Sequence, residues 1–253
     1  MTPSAVYVYG VLSASELRSV SEAGVEGAPV HPVELGGLAA ITSEVKGDAL
    51  AAAREVRAHW KVLDEISQST TVLPTRFGTV MESDDEVRER LLAPNAERLE
   101  ELLRGLAGHV QLGVKGDYDG GELMRDVVRS SPAIAALRDK LRDLPDAAGY
   151  YERIRLGELV AAEVEQRRGA DRQLALDVLT PEAADAREEE LSHAEAAFNL
   201  AFLVARERQD AFTKAVNRLA GKLGDRVAIR YVGPLPPYSF AEADLSTGSE
   251  AWA

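Results

Sequence analysis

The second half of the chain alternates between strand-like and helix-like hydrophobic patterns, and this order restricts the fold more than any other feature. Short β-prone runs alternate with segments that place apolar residues at helical spacing. In chain order these segments are Val110–Val114 (strand), Pro132–Leu144 and Gly149–Leu179 (helices), Asn199–Val204 (strand), a helix spanning Phe212–Leu223, and Val227–Val232 (strand). Such a pattern predicts a mixed fold in which helices cover a sheet. The three strands are expected to share one sheet.

The stretch 180–197 allows two interpretations. Thr180 as an N-cap followed by Pro181 at the first helical position predicts a helix. A strand at Ala184–Glu190 would instead pair with the strand that follows and give the order β-α-β-β-α-β, which is ferredoxin-like. We favour the strand because it completes a covered sheet. Asp117–Gly121, rich in turn residues, is expected to be a loop.

The first half begins with strands and continues with helices. Strands are predicted at Ala5–Leu12, Pro29–Glu34 and Leu38–Val45. A helix over Ala49–Ser67 places Val56, Trp60, Leu63 and Ile66 near helical spacing. A capping box, Ser83 with Glu86, opens a short helix through Leu92, which Pro94 is expected to interrupt before a second helix with Leu99, Leu102, Leu103 and Leu106.

Composition excludes several classes of protein. The 253 residues include 42 acidic and 29 basic side chains, for a net charge of −13, which disfavours nonspecific binding to nucleic acid or to anionic membrane surfaces. There is no cysteine, so disulfide scaffolds, thiol nucleophiles and iron–sulfur or zinc–cysteine sites are excluded. No apolar run approaches the roughly 20 residues that span a bilayer, and no signal-peptide pattern precedes Tyr9. These features fit a protein of the reducing cytoplasm.

Motifs of catalysis or cofactor binding are absent from the sequence. It contains no glycine-rich phosphate loop and no G-x-S-x-G nucleophile turn. Its histidines, His31, His59, His109 and His193, lack metal-ligand spacing, and His193 lies in an acidic run that we interpret as a solvated surface. We therefore expect no catalytic residue, no metal and no cofactor. Two alternatives stay open, namely a hydrolase or transferase that uses scattered carboxylates and a regulatory module that binds a small ligand.

Two irregular apolar segments carry the candidate functional residues. The first, 73–79, reads L-P-T-R-F-G-T and places a proline inside a β-prone run (70–80), which predicts an edge strand or a strand that bends. The second, 233–240, reads G-P-L-P-P-Y-S-F and is expected to end regular structure after the last strand. The candidate partner-binding residues are Leu73, Pro74, Arg76, Phe77, Gly78, Gly233, Pro234, Pro236, Pro237, Tyr238 and Phe240. Arg76 either bonds strand-end carbonyls, which we favour, or faces a partner.

These segments resemble the gas vesicle protein F/L family. The family has a tyrosine–glycine strand near its start, a mid-chain L-P-x-R-F-G-T and a terminal G-P-x-P-P-Y-S-F, as seen here in Tyr7–Val11, Leu73–Thr79 and Gly233–Phe240. Ala201–Val204 and the glycine–aromatic start of a long helix at Gly149–Tyr151 add to the resemblance, which spans about residues 5–240.

The resemblance implies an α+β fold with two domains, of which the C-terminal one is ferredoxin-like with a long helix. We expect an N-terminal α+β domain over 1–108, the ferredoxin-like domain over 109–240 and a mobile polar tail over 241–253. The resemblance also implies a non-enzymatic accessory protein of gas vesicle assembly. Such a protein would bind the hydrophobic shell protein or other gas vesicle accessory proteins, in the cytoplasm or as a minor component of the vesicle.

Overall fold

The computed structural model describes residues 5–46, 52–142, 144–145 and 149–245, which form a mixed structure of helices and two sheets. The chain divides into two compact units. The first consists of Met1–Leu112, Leu203–Arg206 and Gly233–Ala253, and the second of Gly113–Phe202 and Glu207–Val232. Segments that are distant in sequence therefore meet within one unit.

The first sheet is built from the N-terminal strands. Its strands are β1 (Ala5–Ser13), β2 (Val30–Leu35), β3 (Leu38–Val45), β4 (Val72–Pro74) and β5 (Val80–Met81), in the order β2-β3-β1-β4 with β5 also paired to β1. All of these pairings are antiparallel. The three long strands confirm the sequence prediction, and β3 has the predicted bounds. A bulge in β1 between Val8 and Gly10 shifts the register against β3.

The first helix, α1 (Ala53–Ser69), packs one face onto this sheet. The predicted start at Ala49 lies outside the described residues. Its buried face carries His59, Val62, Leu63 and Ile66, whereas Trp60 is 41% exposed. The sequence pattern had placed Trp60 on the apolar face, and that assignment is wrong: positions 59, 62, 63 and 66 follow the i, i+3, i+4, i+7 rule more closely.

A helical segment follows over residues 84–106 without a break. It consists of α2 (Asp84–Glu86), a π-helical stretch (Val87–Leu92) and α3 (Ala93–Leu106). Ser83 caps its start as predicted, because its Oγ accepts the Glu86 amide at 3.2 Å. The predicted interruption at Pro94 is wrong. The wider π-turns carry the chain past the proline, and the Asn95 side-chain Nδ2 donates to the Leu91 carbonyl at 2.8 Å.

The second sheet has the spatial order β7-β8-β6-β9. Its elements are β6 (His109–Tyr118), α4 (Gly120–Ser130), α5 (Pro132–Arg142), α6 (Tyr150–Leu179), β7 (Asp185–Glu188), β8 (Ala196–Ala205), α7 (Gln209–Leu223) and β9 (Val227–Leu235). The three strands expected to share one sheet do so, which confirms that prediction. The stretch 180–197, for which the sequence allowed a helix or a strand, contains both. Thr180–Glu182 forms one 3-10 turn, and strand β7 follows it.

The expected loop at Asp117–Gly121 is only partly correct. Strand β6 extends to Tyr118, and helix α4 begins at Gly120, because the Asp119 carboxylate caps it by accepting the Glu122 amide at 2.9 Å. Helix α4 itself had not been predicted.

The end of the chain also differs from expectation. Residues 233–235 continue β9, and Tyr238–Leu245 forms helix α8, so regular structure does not end at Gly233. Residues 233–245 belong to the first unit rather than to a domain over 109–240. The expected tail over 241–253 is wrong for its first residues, since Ala241 is fully buried in α8; residues 246–253 lie outside the described residues.

Candidate functional site

The segment 73–79 is fastened to the bulge of β1. Val8 and Tyr9 lie at the bulge, where the ladder to β3 is disrupted, so their backbone groups need other partners. The Thr75 amide donates to the Tyr9 carbonyl at 2.9 Å, and the Thr75 hydroxyl donates to the Val8 carbonyl at 2.7 Å. The Val8 amide donates to the carbonyl of Thr79 at 3.0 Å. The bend predicted from Pro74 is therefore real, and it supplies the hydrogen bonds that the bulge lacks.

Arg76 stands at the tip of this bend and is exposed. Its carbonyl accepts the amide and the hydroxyl of Thr79, at 3.2 and 2.8 Å, and this closes the turn. Within the described residues, no carbonyl or carboxylate accepts a hydrogen bond from its guanidinium. The favoured prediction of a buried Arg76 that serves the fold is therefore wrong. The reason is local: Leu73, Pro74 and Thr75 point their side chains inwards, and the turn directs the next residue outwards.

The segment 233–240 packs within the same unit. Gly233 has a φ of +135°, and a β-carbon there would lie 2.8 Å from Leu112 Cδ2 and 2.9 Å from the Gln111 carbonyl oxygen, so only glycine fits. Pro234 is exposed, whereas Pro236 and Pro237 are buried. The next residues are held by the Ser239 amide, which donates to Gln111 Oε1 at 2.9 Å. Phe240 is 3% exposed.

His59 joins the two segments. Its Nδ1 lies 2.9 Å from the Tyr7 hydroxyl, and its Nε2 lies 3.3 Å from the Tyr238 hydroxyl. The Phe77 ring meets the imidazole edge-on, with centroids 5.6 Å apart. Thus one residue of each candidate segment, Phe77 and Tyr238, contacts the same buried side chain of α1.

The hydrogen bonds around His59 define its protonation. The Gly78 amide donates to the Tyr7 hydroxyl at 3.0 Å, which leaves the hydroxyl proton free to point at His59 Nδ1. Nε2 then carries the imidazole proton and donates it to Tyr238. Burial lowers the pKa of His59 from 6.5 to about 4, because the charged form loses its hydration. Burial also raises the pKa of Tyr7, so the pair is uncharged at neutral pH.

This cluster therefore connects both candidate segments to α1 through buried His59. Tyr7 and His59 were absent from the predicted site residues, although the signal was available in the i, i+3, i+4, i+7 spacing that places His59 on the buried face of α1. Of the predicted residues, Leu73 and Pro74 are buried in β4, and Gly78 is exposed at a φ of +93°.

Trp60 of α1 and the two residues that contact His59, Phe77 and Tyr238, are the aromatic side chains of this region that reach solvent. The Trp60 ring packs on Tyr238 with centroids 4.6 Å apart, and both Tyr238 and Phe77 are half-buried. We name Trp60, Phe77 and Tyr238 the aromatic patch. Large aromatic side chains that are partly exposed together are typical of protein-binding surfaces, since they bury much apolar area on contact.

The described part of the chain holds further polar and charged groups. No cluster of three or more potential metal ligands occurs there. His193 Nε2 lies 3.1 Å from Asp117 Oδ1, which is an ion-pair distance. Two carboxylates are buried: Glu55, which accepts the Glu26 amide at 2.7 Å, belongs to the first unit, and Asp171, which accepts the Tyr118 hydroxyl at 2.9 Å, belongs to the second. No helix in the described ranges is long and apolar enough to cross a membrane.

Known proteins are similar to this chain in sequence and in fold. Over 242 residues the chain is 36% identical to gas vesicle protein F of Streptomyces sp. (strain CB03234), a match that covers 93% of this chain and 99% of the relative. It is 28% identical to gas vesicle protein F of Microcystis aeruginosa (strain PCC 7806), covering 94% and 98%. The crystal structure of GvpF from Anabaena sp. PCC7120 superimposes with a TM-score of 0.82 at 28% identity, covering 94% of this chain and 98% of that one.

The family assignment rests on nearly the whole chain. The family model described as gas vesicle synthesis protein GvpL/GvpF matches residues 5–242, a range that contains both candidate segments and all of the elements from β1 to β9. This protein therefore belongs to the GvpL/GvpF family of gas vesicle synthesis proteins.

Proposed function

We propose that this protein is an accessory protein of gas vesicle assembly that binds the hydrophobic shell protein or a fellow accessory protein. The observation that carries the proposal is the family match over residues 5–242. It acts in the cytoplasm and on the growing vesicle, as a binding protein and not as a catalyst.

Physical chemistry supports this role. A shell subunit with an exposed apolar surface aggregates before it polymerises unless a partner covers that surface. A protein with a net charge of −13 keeps such a complex dispersed through like-charge repulsion. Contact through apolar side chains would bind the subunit without neutralising the negative charge of this protein.

Two kinds of surface are suited to the contact. The aromatic patch offers apolar area, and β9 offers an edge strand of nine residues at one end of the second sheet. Tyr231 and Val232 on β9 are 37% and 43% exposed. An edge strand can accept a further strand through its unpaired backbone groups. We propose apolar contact and sheet-edge pairing as the mode of binding.

We also propose that the second unit has a ferredoxin-like arrangement. The chain order β6, helices, β7, β8, α7, β9 and the spatial order β7-β8-β6-β9 support this assignment. Folds of this kind serve many functions, so the arrangement by itself does not identify a partner.

Affinity capture tests the proposed function. The tagged protein is co-expressed with the shell protein and the other gas vesicle proteins, captured, and washed at salt from about 0.1 M to about 1 M, over which the Debye length falls from ~10 to ~3 Å. We expect a gas vesicle protein to co-purify and to persist at moderate salt, because apolar burial is weakly screened. Failure to capture any vesicle protein would rule out the assembly role. Loss of all binding at modest salt would rule out binding through apolar contact but would leave the assembly role standing.

A further inference from the structure

Two exposed arginines lie close in sequence to residues of the aromatic patch. Arg57 precedes Trp60 by one turn on α1, and side chains three residues apart are neighbours on a helix surface. Arg76 directly precedes Phe77 at the tip of the bend. Both arginines are exposed, and in the described residues neither forms an ion pair.

The acidic composition of the chain gives these two arginines weight. Carboxylates outnumber cations by 42 to 29, and many of the arginines on its helices are paired with a neighbouring Asp or Glu, as Arg88 is with Asp85 at 2.7 Å. Arg57 and Arg76 form no such pair in the described residues, and each is close in sequence to an aromatic residue of the patch. Tryptophan, tyrosine and arginine are the residues that most often dominate binding energy at protein interfaces.

The surface is also firmly positioned. Phe77 and Tyr238 are both fixed by buried His59, and the bend that carries Arg76 is fastened to β1 by Thr75. A surface that is ordered before binding loses less conformational entropy on association.

We propose that the aromatic patch together with Arg57 and Arg76 is the partner-binding surface, and that it recognises a segment that presents an apolar side chain beside a carboxylate. The apolar side chain packs on Trp60 and Tyr238, and the carboxylate is attracted by the exposed guanidinium groups of Arg57 and Arg76. The charge of the arginines determines this choice of occupant, because a wholly apolar segment would leave both cations without a partner and a basic segment would be repelled. The inference deepens the proposed function and rests on it.

Variants of the full chain test this surface by quantitative capture of the co-expressed gas vesicle shell protein. Trp60→Ala is expected to weaken capture about 30-fold, as for a central aromatic anchor. The double variant Arg57→Ala/Arg76→Ala is expected to weaken it about fivefold, the effect of two exposed charge contacts. Arg57→Glu/Arg76→Glu is expected to weaken it further, because like charges then face each other.

Matched controls are available on α6. Tyr151 is an aromatic residue that is 80% exposed, and Arg155 is an exposed arginine; neither lies in the first unit. Tyr151→Ala and Arg155→Glu are expected to capture the shell protein as the unmodified protein does. Thermal melting identifies any variant that fails to fold, and the arginine variants, being confined to exposed side chains, keep the test valid if Trp60→Ala unfolds.

Salt provides an independent readout. As ionic strength rises, capture by the unmodified protein should fall to the level of the Arg57→Ala/Arg76→Ala variant, and capture by that variant should barely change. If the unmodified protein captures shell protein but the arginine variants match it in amount and in salt dependence, the inference is wrong and the assembly role stands. If the unmodified protein captures no shell protein, this inference is wrong; the assembly role is wrong as well only if no other vesicle protein co-purifies.

Discussion

Replacement of His59 by leucine tests the claim that this residue fastens the two candidate segments to α1. Leucine keeps an apolar side chain on the buried face of the helix but cannot hydrogen bond. It therefore removes the bond to Tyr7, which is 2.9 Å long and fully buried, and the bond to Tyr238, which is 3.3 Å long and half-buried.

The two losses have different costs. The Tyr7 hydroxyl proton loses its acceptor in a dry environment, which costs about 1–3 kcal/mol. The Tyr238 hydroxyl can turn to water, so its loss costs only about 0.5–1 kcal/mol. The change of side-chain shape adds roughly 1 kcal/mol at most, since the volumes are similar. We expect His59→Leu to lower the free energy of unfolding of the first unit by about 2–4 kcal/mol.

Urea denaturation followed by tryptophan fluorescence measures this change. The chain has two tryptophans, so in a Trp252→Phe background the signal comes from Trp60 alone, beside Tyr238. A double-mutant cycle with Tyr7→Phe then isolates the bond between Tyr7 and His59. The double variant leaves neither group of this bond orphaned, whereas the losses at the Gly78 amide and at Tyr238 already occur in the single variants. It should therefore be more stable than the sum of the single losses predicts, by about 1–2 kcal/mol. Additive losses, within about 0.5 kcal/mol, would refute the reasoning.

Three further outcomes follow from the same geometry. Arg76→Ala should change the unfolding free energy by less than about 0.5 kcal/mol, measured by the same titration, because the side chain is exposed. Gly233→Ala should cost about 2–4 kcal/mol through strain and overlap with Leu112, whereas Gly78→Ala, which has open space around it, should cost only about 1–2 kcal/mol. The pKa of His59 is near 6.5 in the unfolded chain and about 4 in the folded protein, so the unfolded chain binds more protons between these pH values. The free energy of unfolding should therefore fall, by up to about 3 kcal/mol, as the pH is lowered from 6.5 to 4. In His59→Leu, the same urea titration repeated over this pH range should no longer show this part of the fall.

The strands and long helices could be predicted because their signals are local. The β-prone apolar runs of β1 and β3 and the periodicity of α7 are determined by residues within each element. The missed helix α4 also had a local signal, the Asp119–Glu122 cap, but Gly120 and Gly121 suggested a turn. Glycines that follow a good N-cap residue are compatible with the first turn of a helix.

The errors at the site had a different origin. Sequence spacing identified both segments, yet it could not show that Phe77 and Tyr238 approach the same histidine, because His59 and Tyr238 are 179 positions apart. It also could not determine the direction of Arg76, which depends on how the turn closes on the β1 bulge. Pro94 and the C-terminal helix were misjudged because π-turns and tertiary packing override simple rules for proline and for chain ends.

Hydrogen–deuterium exchange on the captured complex tests the central claim most directly. The amide exchange of the free protein is compared with that of the protein bound to the shell protein, peptide by peptide. The account predicts slower exchange on binding in the peptides that contain Arg57–Trp60 and Arg76–Gly78, and no change around Tyr150–Ile154 on α6. Protection confined to α6 or to the β9 edge, with residues 57–60 and 76–78 unchanged, would contradict it.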